Sequence, residues 1–174
     1  RATRAAWQDA QRWEAGQRLA GTLILRNAAA LHRGAGDIDI PETFIHAFGR
    51  VLADGQADPA FTAEALALPS ETYLAEQMDT VDPDALHAAR LALRRRIASR
   101  LQLALRLAYD LNSTGGAYSP GADSTGQRAL KNLALSYLTE LDDAGIRKLV
   151  LRQFERADNM TDAMAALAAL ANCD

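Results

Sequence analysis

A chain of 174 residues has room for one ordinary domain, or for a run of helical pairs sharing a continuous core, but not for two independent domains. Its 19 basic and 22 acidic residues leave a formal charge of −3, too weak a field to hold a polyanion, so nucleic acid is not an expected partner. Hydrophobic residues make up 49% and aromatics only 6%, with alanine abundant, a balance that favours helices packed through small side chains over strands.

The apolar positions Trp13, Leu19, Leu23 and Ala30 recur at helical spacing and predict a long helix over 12–31, stopped by Gly34 and Gly36. A short opening helix over 4–10 is expected before it. Pro41 suits the first turn of a helix over 41–53, because its missing N–H would have no partner there. That helix carries the stripe Phe44, Ile45, Phe48, Val51 and Leu52, and Asp54-Gly55 stops it. Asp58-Pro59 restarts a short helix ending near Leu68. Pro69-Ser70 breaks the chain again, and Ser70 is placed to cap a helix carrying Tyr73, Leu74, Gln77 and Met78.

Asp82-Pro83 opens the longest predicted helix, over 84–112. Leu86, Ala89, Leu93, Ile97, Leu101, Ala104, Ala108 and Leu111 form one stripe along it, while Leu91, Leu103 and Leu107 lie off that stripe. A helix apolar on two sides is expected to be packed on two sides, as in a solenoid. The glycine, proline and serine of 113–124 predict a loop of about a dozen residues, followed by helices over 125–141, 143–156 and 161–172. Thr161 is expected to cap the last, with Asp162 in its first turn, where the positive end of the helix dipole favours a carboxylate. No fixed period relates these segments. The expected fold is all-α: an irregular armadillo-like solenoid of stacked helix pairs, forming a single helical module over 1–174.

Candidate chemistry is sparse. His32 precedes Arg33, and His46 and His87 each precede alanine, so none opens the His-Glu-x-x-His pattern that sets two zinc ligands one helical turn apart. Their expected places are a helix end for His32 and exposed or partly buried faces for the other two. Arg90, Arg94, Arg95, Arg96, Arg100 and Arg106 are the densest basic cluster, but successive residues turn by about 100°, so they fan around a helix and cannot converge on one small ligand. A solvated or ion-paired face is expected. Gly115-Gly116 follows no strand and precedes no Gly-Lys-Ser, and no serine sits in a Gly-x-Ser-x-Gly elbow. Cys173 is the only cysteine, which excludes an intramolecular disulfide and fits a reducing, cytoplasmic compartment. Charged residues interrupt every apolar stretch well short of the roughly 20 residues a membrane span needs, and the first dozen residues have no apolar run of a secretory signal.

Gln153-Phe154-Glu155, then Asp158-Asn159-Met160-Thr161-Asp162 and the run from Ala165 to Leu170, resemble a stretch of the bacterial aminopeptidase N family. Arg128-Ala129-Leu130-Lys131-Asn132 with Tyr137-Leu138 fits the same pattern upstream, as do Arg12-Trp13-Glu14-Ala15 with Gln17, the segment 66–71 and Asp82-Pro83. The pieces occur in the family's order and cover nearly the whole chain.

That resemblance implies a fragment of a larger zinc-dependent exopeptidase that removes N-terminal residues from peptides, the stretch being the first half of its C-terminal helical domain. The family's His-Glu-x-x-His and Gly-x-Met-Glu-Asn motifs do not occur in this chain. No catalytic, cofactor-binding or metal-binding residue is carried over, and zinc is expected in the parent rather than in this stretch. The expected partner is the catalytic domain of the same parent chain, with peptides as its substrates, and neither nucleic acid nor membrane. The alternative is a free-standing helical scaffold that binds a protein on a concave face. Met160, Met164, Leu167 and Leu170, spaced by four, three and three, form a stripe expected to meet a further helix or to drive self-association.

Overall fold

The computed structural model describes residues 2–113 and 118–171, with side chains from Asp9 onward. Among the described residues there are eight α-helices, one 3-10 turn and no strand: α1 (Ala2–His32), α2 (Glu42–Ala53), the turn Asp54–Gln56, α3 (Pro59–Leu66), α4 (Glu71–Ala75), α5 (Pro83–Leu111), α6 (Ala122–Leu138), α7 (Ala144–Arg156) and α8 (Met160–Ala171). The all-α expectation holds.

The caps follow from the sequence. Asp58, Ser70, Asp82 and Asp143 each accept a backbone N–H from the first turn of the helix they precede, and Pro59 and Pro83 occupy positions where no N–H is needed. Gly34, at φ 85°, ends α1: its N–H reaches the Leu31 carbonyl and that of Ala35 the Ala30 carbonyl, closing the last turn with a residue that tolerates the left-handed region.

Three expectations need correcting. The two predicted N-terminal helices are one, since no proline interrupts the alanine-rich run and Gly16 and Gly21 are tolerated within it. The helix α6 starts three residues earlier than predicted, where Arg128 donates to the Ser119 carbonyl and the Thr125 hydroxyl and lays its guanidinium over the Tyr118 ring. Residues 114–117, with the glycine pair, lie outside the described residues, as does Cys173. Thr161 caps nothing; Asn159 does, accepting the Asp162 N–H at 2.9 Å.

The helix α5 is the axis of the molecule, with α1, α2 and α4 against it on one side and α6 on another; α3 packs on α6, and α7 and α8 form a pair whose α8 rests on α6. One apolar core runs through all of them, from Ile24 and Ile45 past Leu93 and Ile97 to Leu130, Leu135 and Val150. Tyr137 ties four helices together: its hydroxyl donates to the Leu66 carbonyl at 2.7 Å, its ring meets Phe48 edge-on at 5.4 Å, and the Arg94 guanidinium lies 5.0 Å from its centroid. At Gly126 a Cβ would come within 3.0 Å of the Ala60 backbone, so only glycine allows α3 and α6 to approach this closely.

The predicted straight stripe along α5 is also corrected. Leu101 leaves helical geometry (φ −116°, ψ 20°), at the point where Gly49 of α2 lets its side chain in close. Leu86, Ala89, Leu93 and Ile97 are buried before the kink; after it the buried positions are Leu105, Ala108, Tyr109 and Asn112. The phase has turned. The helix is packed by α1, α2, α4 and α6, and Leu91 is half-buried, but Leu103, Leu107 and Leu111 are left 87%, 58% and 53% exposed.

Candidate functional site

Each predicted candidate lands in a structural setting. His32 ends α1 and its Nδ1 lies 2.7 Å from the Asp82 carboxylate; His87 meets Glu71 at 3.0 Å; His46 is exposed on α2. The three rings sit on three helices. No group of three or more histidine, cysteine, aspartate or glutamate side chains among the described residues could hold a metal ion.

The arginines of α5 fan out as the 100° turn requires. Arg90 donates to the Pro69 carbonyl at 2.9 Å, Arg94 pairs with Glu140 and reaches the Ser136 carbonyl, Arg96 and Arg100 share Glu42, and Arg106 pairs with Asp110. They stitch α5 to α2, α6 and the chain before α4. No anion pocket forms.

The residues that do converge are those of the recognisable segments. Asp162 sits in the first turn of α8, as predicted, but is buried. Lys131 Nζ donates to its Oδ2 at 2.5 Å, Asn132 Nδ2 to its Oδ1 at 2.8 Å and Asn159 Nδ2 to its Oδ2 at 3.1 Å. Gln153 of α7 closes the group, donating from Nε2 to Asn132 Oδ1 at 2.8 Å and to the Asp162 carbonyl at 3.1 Å. Burial pushes the Asp162 carboxyl up, but the hydrogen bonds from Lys131, Asn132 and Asn159 together outweigh it and hold it below the usual aspartate value. Both carboxylate oxygens already have donors, so the cluster is a knot joining α6, α7 and α8 rather than a place for a substrate. A signal for it was in the sequence: Asp162, Ala166 and Ala169, at spacings of four and three, are the buried stripe of α8, and a charge at its head needs a buried partner.

An open groove of about 670 Å³ lies between α1, α2 and α3. Phe44, Phe48 and Leu66 form its floor, Arg50 and Asp54 stand on its rim, and its lining contains no histidine, cysteine or serine. It can take up apolar surface.

On α8, Met160, Met164 and Leu167 are exposed as expected, whereas Leu170 turns inward and packs on the core. Among the described residues no helix is long and apolar enough to cross a membrane.

Residues 4–174 match a domain-of-unknown-function family, DUF3458_C, described as ARM repeats. Aminopeptidase N of Caulobacter vibrioides is 44% identical over 156 residues, covering 90% of this chain and 18% of the relative. Aminopeptidase N of Escherichia coli K12 is 39% identical over 170 residues, covering 95% and 19%. A crystal structure of Legionella pneumophila aminopeptidase A in complex with aspartic acid superposes with a TM-score of 0.75 at 26% identity, over 92% of this chain and 19% of that one. The chain thus spans less than a fifth of the length of the curated relatives it matches. It belongs to the DUF3458_C family of ARM-repeat domains and is homologous to the C-terminal helical domain of aminopeptidase N.

Proposed function

We propose that this module works by shape within a zinc-dependent aminopeptidase, covering the catalytic part of the same polypeptide and limiting entry to short peptides. The observation that carries the reading is the match itself: identity of 39–44% runs across nearly the whole chain and falls on under a fifth of each aminopeptidase N. The groups within the module support it, because His32, His87, Arg94 and the buried Asp162 are engaged in joining helices. In this reading zinc belongs to another part of the polypeptide, and the enzyme is cytoplasmic.

The test is made on the full-length enzyme, by comparing turnover of an aminoacyl anilide with release of the N-terminal residue from a folded protein. Removing or loosening the module should raise attack on the folded substrate relative to the anilide. Unchanged size discrimination would sink the proposal.

The exposed face of α8 stands at the end of the stacking order, since α8 rests on α6 and α7 and nothing described lies beyond it. We read it as the seat of a further helix, which a second copy replaces when the module is alone. Met164→Glu with Leu167→Glu should then shift the isolated module toward monomer in sedimentation, without touching Leu170, which the core needs. A wild type already monomeric at high concentration would count against it.

A further inference from the structure

The segment 69–82, which carries α4 and leads into α5, is lightly held along its middle. Within 72–81 Leu74 alone is buried, seated against α1 where Gly21 leaves it room: a Cβ on that glycine would stand 3.4 Å from the leucine Cδ2. Ala75 and Met78 are half-buried and the rest of 72–81 is exposed. A stretch with so few buried contacts opens at low cost, so the bonds at its two ends decide how firmly it lies. Two of the chain's three histidines make those bonds. His32, the last residue of α1, sets Nδ1 2.7 Å from Oδ2 of Asp82, whose Oδ1 caps α5 by accepting the Ala85 N–H at 3.0 Å. His87 of α5 sets Nδ1 3.0 Å from the Glu71 carboxylate in the first turn of α4. Arg90 donates to the Pro69 carbonyl at 2.9 Å and stands 4.0 Å from Glu71.

Histidine is the side chain whose charge changes between about pH 5 and 8. The Ala85 N–H, and after it the His32 ring, hold the Asp82 carboxyl below the usual aspartate range, so Asp82 stays charged throughout that interval. Protonation of His32 therefore turns a neutral hydrogen bond into an ion pair, at a junction where the end of α1 favours a cation and the start of α5 an anion. The Glu71 end changes less, because Arg90 stays charged beside it. Among the described residues no other charged side chain lies within ion-pair distance of either ring. Arg33 follows His32, Asp84 precedes His87 by one turn, Glu76 and Asp79 lie on the segment itself, and all four are exposed.

We propose that His32 and His87 make residues 69–82 a pH-sensitive strap, fastened when the two rings are protonated and slackened when they are neutral. In the full-length polypeptide, native-state amide exchange, corrected at each pH for the rate of an unprotected chain, reads the opening of the strap directly. Protection of 72–81 should be about three- to tenfold higher at about pH 5.5 than at about pH 8, while 89–98 of α5 changes by less than about twofold. His32→Gln, which keeps an uncharged donor, should remove most of that gain and His87→Gln a smaller part, and the double variant should be flat across the range. Exposed ion pairs are screened, so the wild-type gain should also shrink at about 1 M salt. Should the double variant fail to fold, the wild-type pH and salt profiles decide alone. A wild-type strap indifferent to pH, a gain undiminished by salt, or one that survives in the double variant would each overturn the proposal.

Discussion

Two junctions in this molecule are bridged by a carboxylate shared between donors, and solvent makes them different. Where α2 meets α5, Glu42 takes Arg96 at 2.5 Å and Arg100 at 3.0 Å on an exposed edge. Where α6 meets α8, Asp162 takes Lys131, Asn132 and Asn159 with little water in reach. In water the first set exchanges good partners for good partners, and ordering the long side chains offsets most of what remains. The second has no such exchange. Removing one member leaves the other charged and nearly dry, which costs far more than the intact pair contributes.

The largest expected effect is therefore at the buried junction. Asp162→Ala strands Lys131 and the Asn132 amide, while Asn159 keeps Asp158, and should destabilise the protein by about 3–5 kcal/mol, the usual range for breaking a buried pair. The loss should be local first: hydrogen exchange in α7 and α8 should rise while α5 before its kink, sealed by Leu93 and Ile97, stays protected. Uniform loosening of the whole chain would show that the knot and the apolar body are not separable.

Tyr137→Phe asks whether charge or mere burial sets the cost. The ring would still pack on Phe48 and under Arg94, but the buried Leu66 carbonyl would lose its donor. A neutral group left unpaired costs about 1–3 kcal/mol, so thermal unfolding should place this variant between wild type and Asp162→Ala. A loss as large as that of Asp162→Ala would mean that burial alone sets the cost.

Much of the body was legible in the sequence, because local rules point the same way there. Asp58, Ser70, Asp82 and Asp143 cap the helices they precede, and Gly34 ends α1 with the positive φ that favours glycine. The kink was not legible. Leu101 is neither proline nor glycine, and its departure from helical geometry shows only where α2 presses on α5 at Gly49, a contact 52 residues away in sequence. The polar knot was half legible: the segments holding Lys131, Asn132, Gln153, Asn159 and Asp162 were recognisable as a family pattern, yet periodicity along any one helix cannot show that they meet across three. Asn159 rather than Thr161 caps α8 for the same reason, since its side chain is already drawn toward Asp162 by the network.

Acid should sharpen the comparison further. The folded carboxyl of Asp162 lies below its ordinary value, so in the unfolded chain it binds a proton more readily than in the native one. Its stabilisation is therefore fully present above the unfolded value of about 3.9 and fades as pH falls through the lower folded value. Below about pH 4 the wild type should lose stability more steeply than Asp162→Asn, which has no such proton to bind, as chemical denaturation at a series of pH values would record. Parallel curves would remove Asp162 from the acid response.

The smallest effect belongs to Glu42, although its carboxyl is also held below the usual range. Burial pushes it up slightly, and the hydrogen bond from Arg96 with the charge of Arg100 outweighs that. A lowered pKa at so exposed a position describes an interaction that water and salt can replace, so it does not translate into stability as it does at Asp162. Glu42→Gln keeps a side-chain oxygen for Arg96 and removes only the charge. Its melting temperature should match wild type at low salt, and raising the salt to about 1 M, where screening reaches only about 3 Å, should leave the two curves together. A clear drop at low salt that vanishes at high salt would show that the α2–α5 edge depends on its ion pairs. The contrast between the two junctions would then be one of degree, set by how much water each excludes.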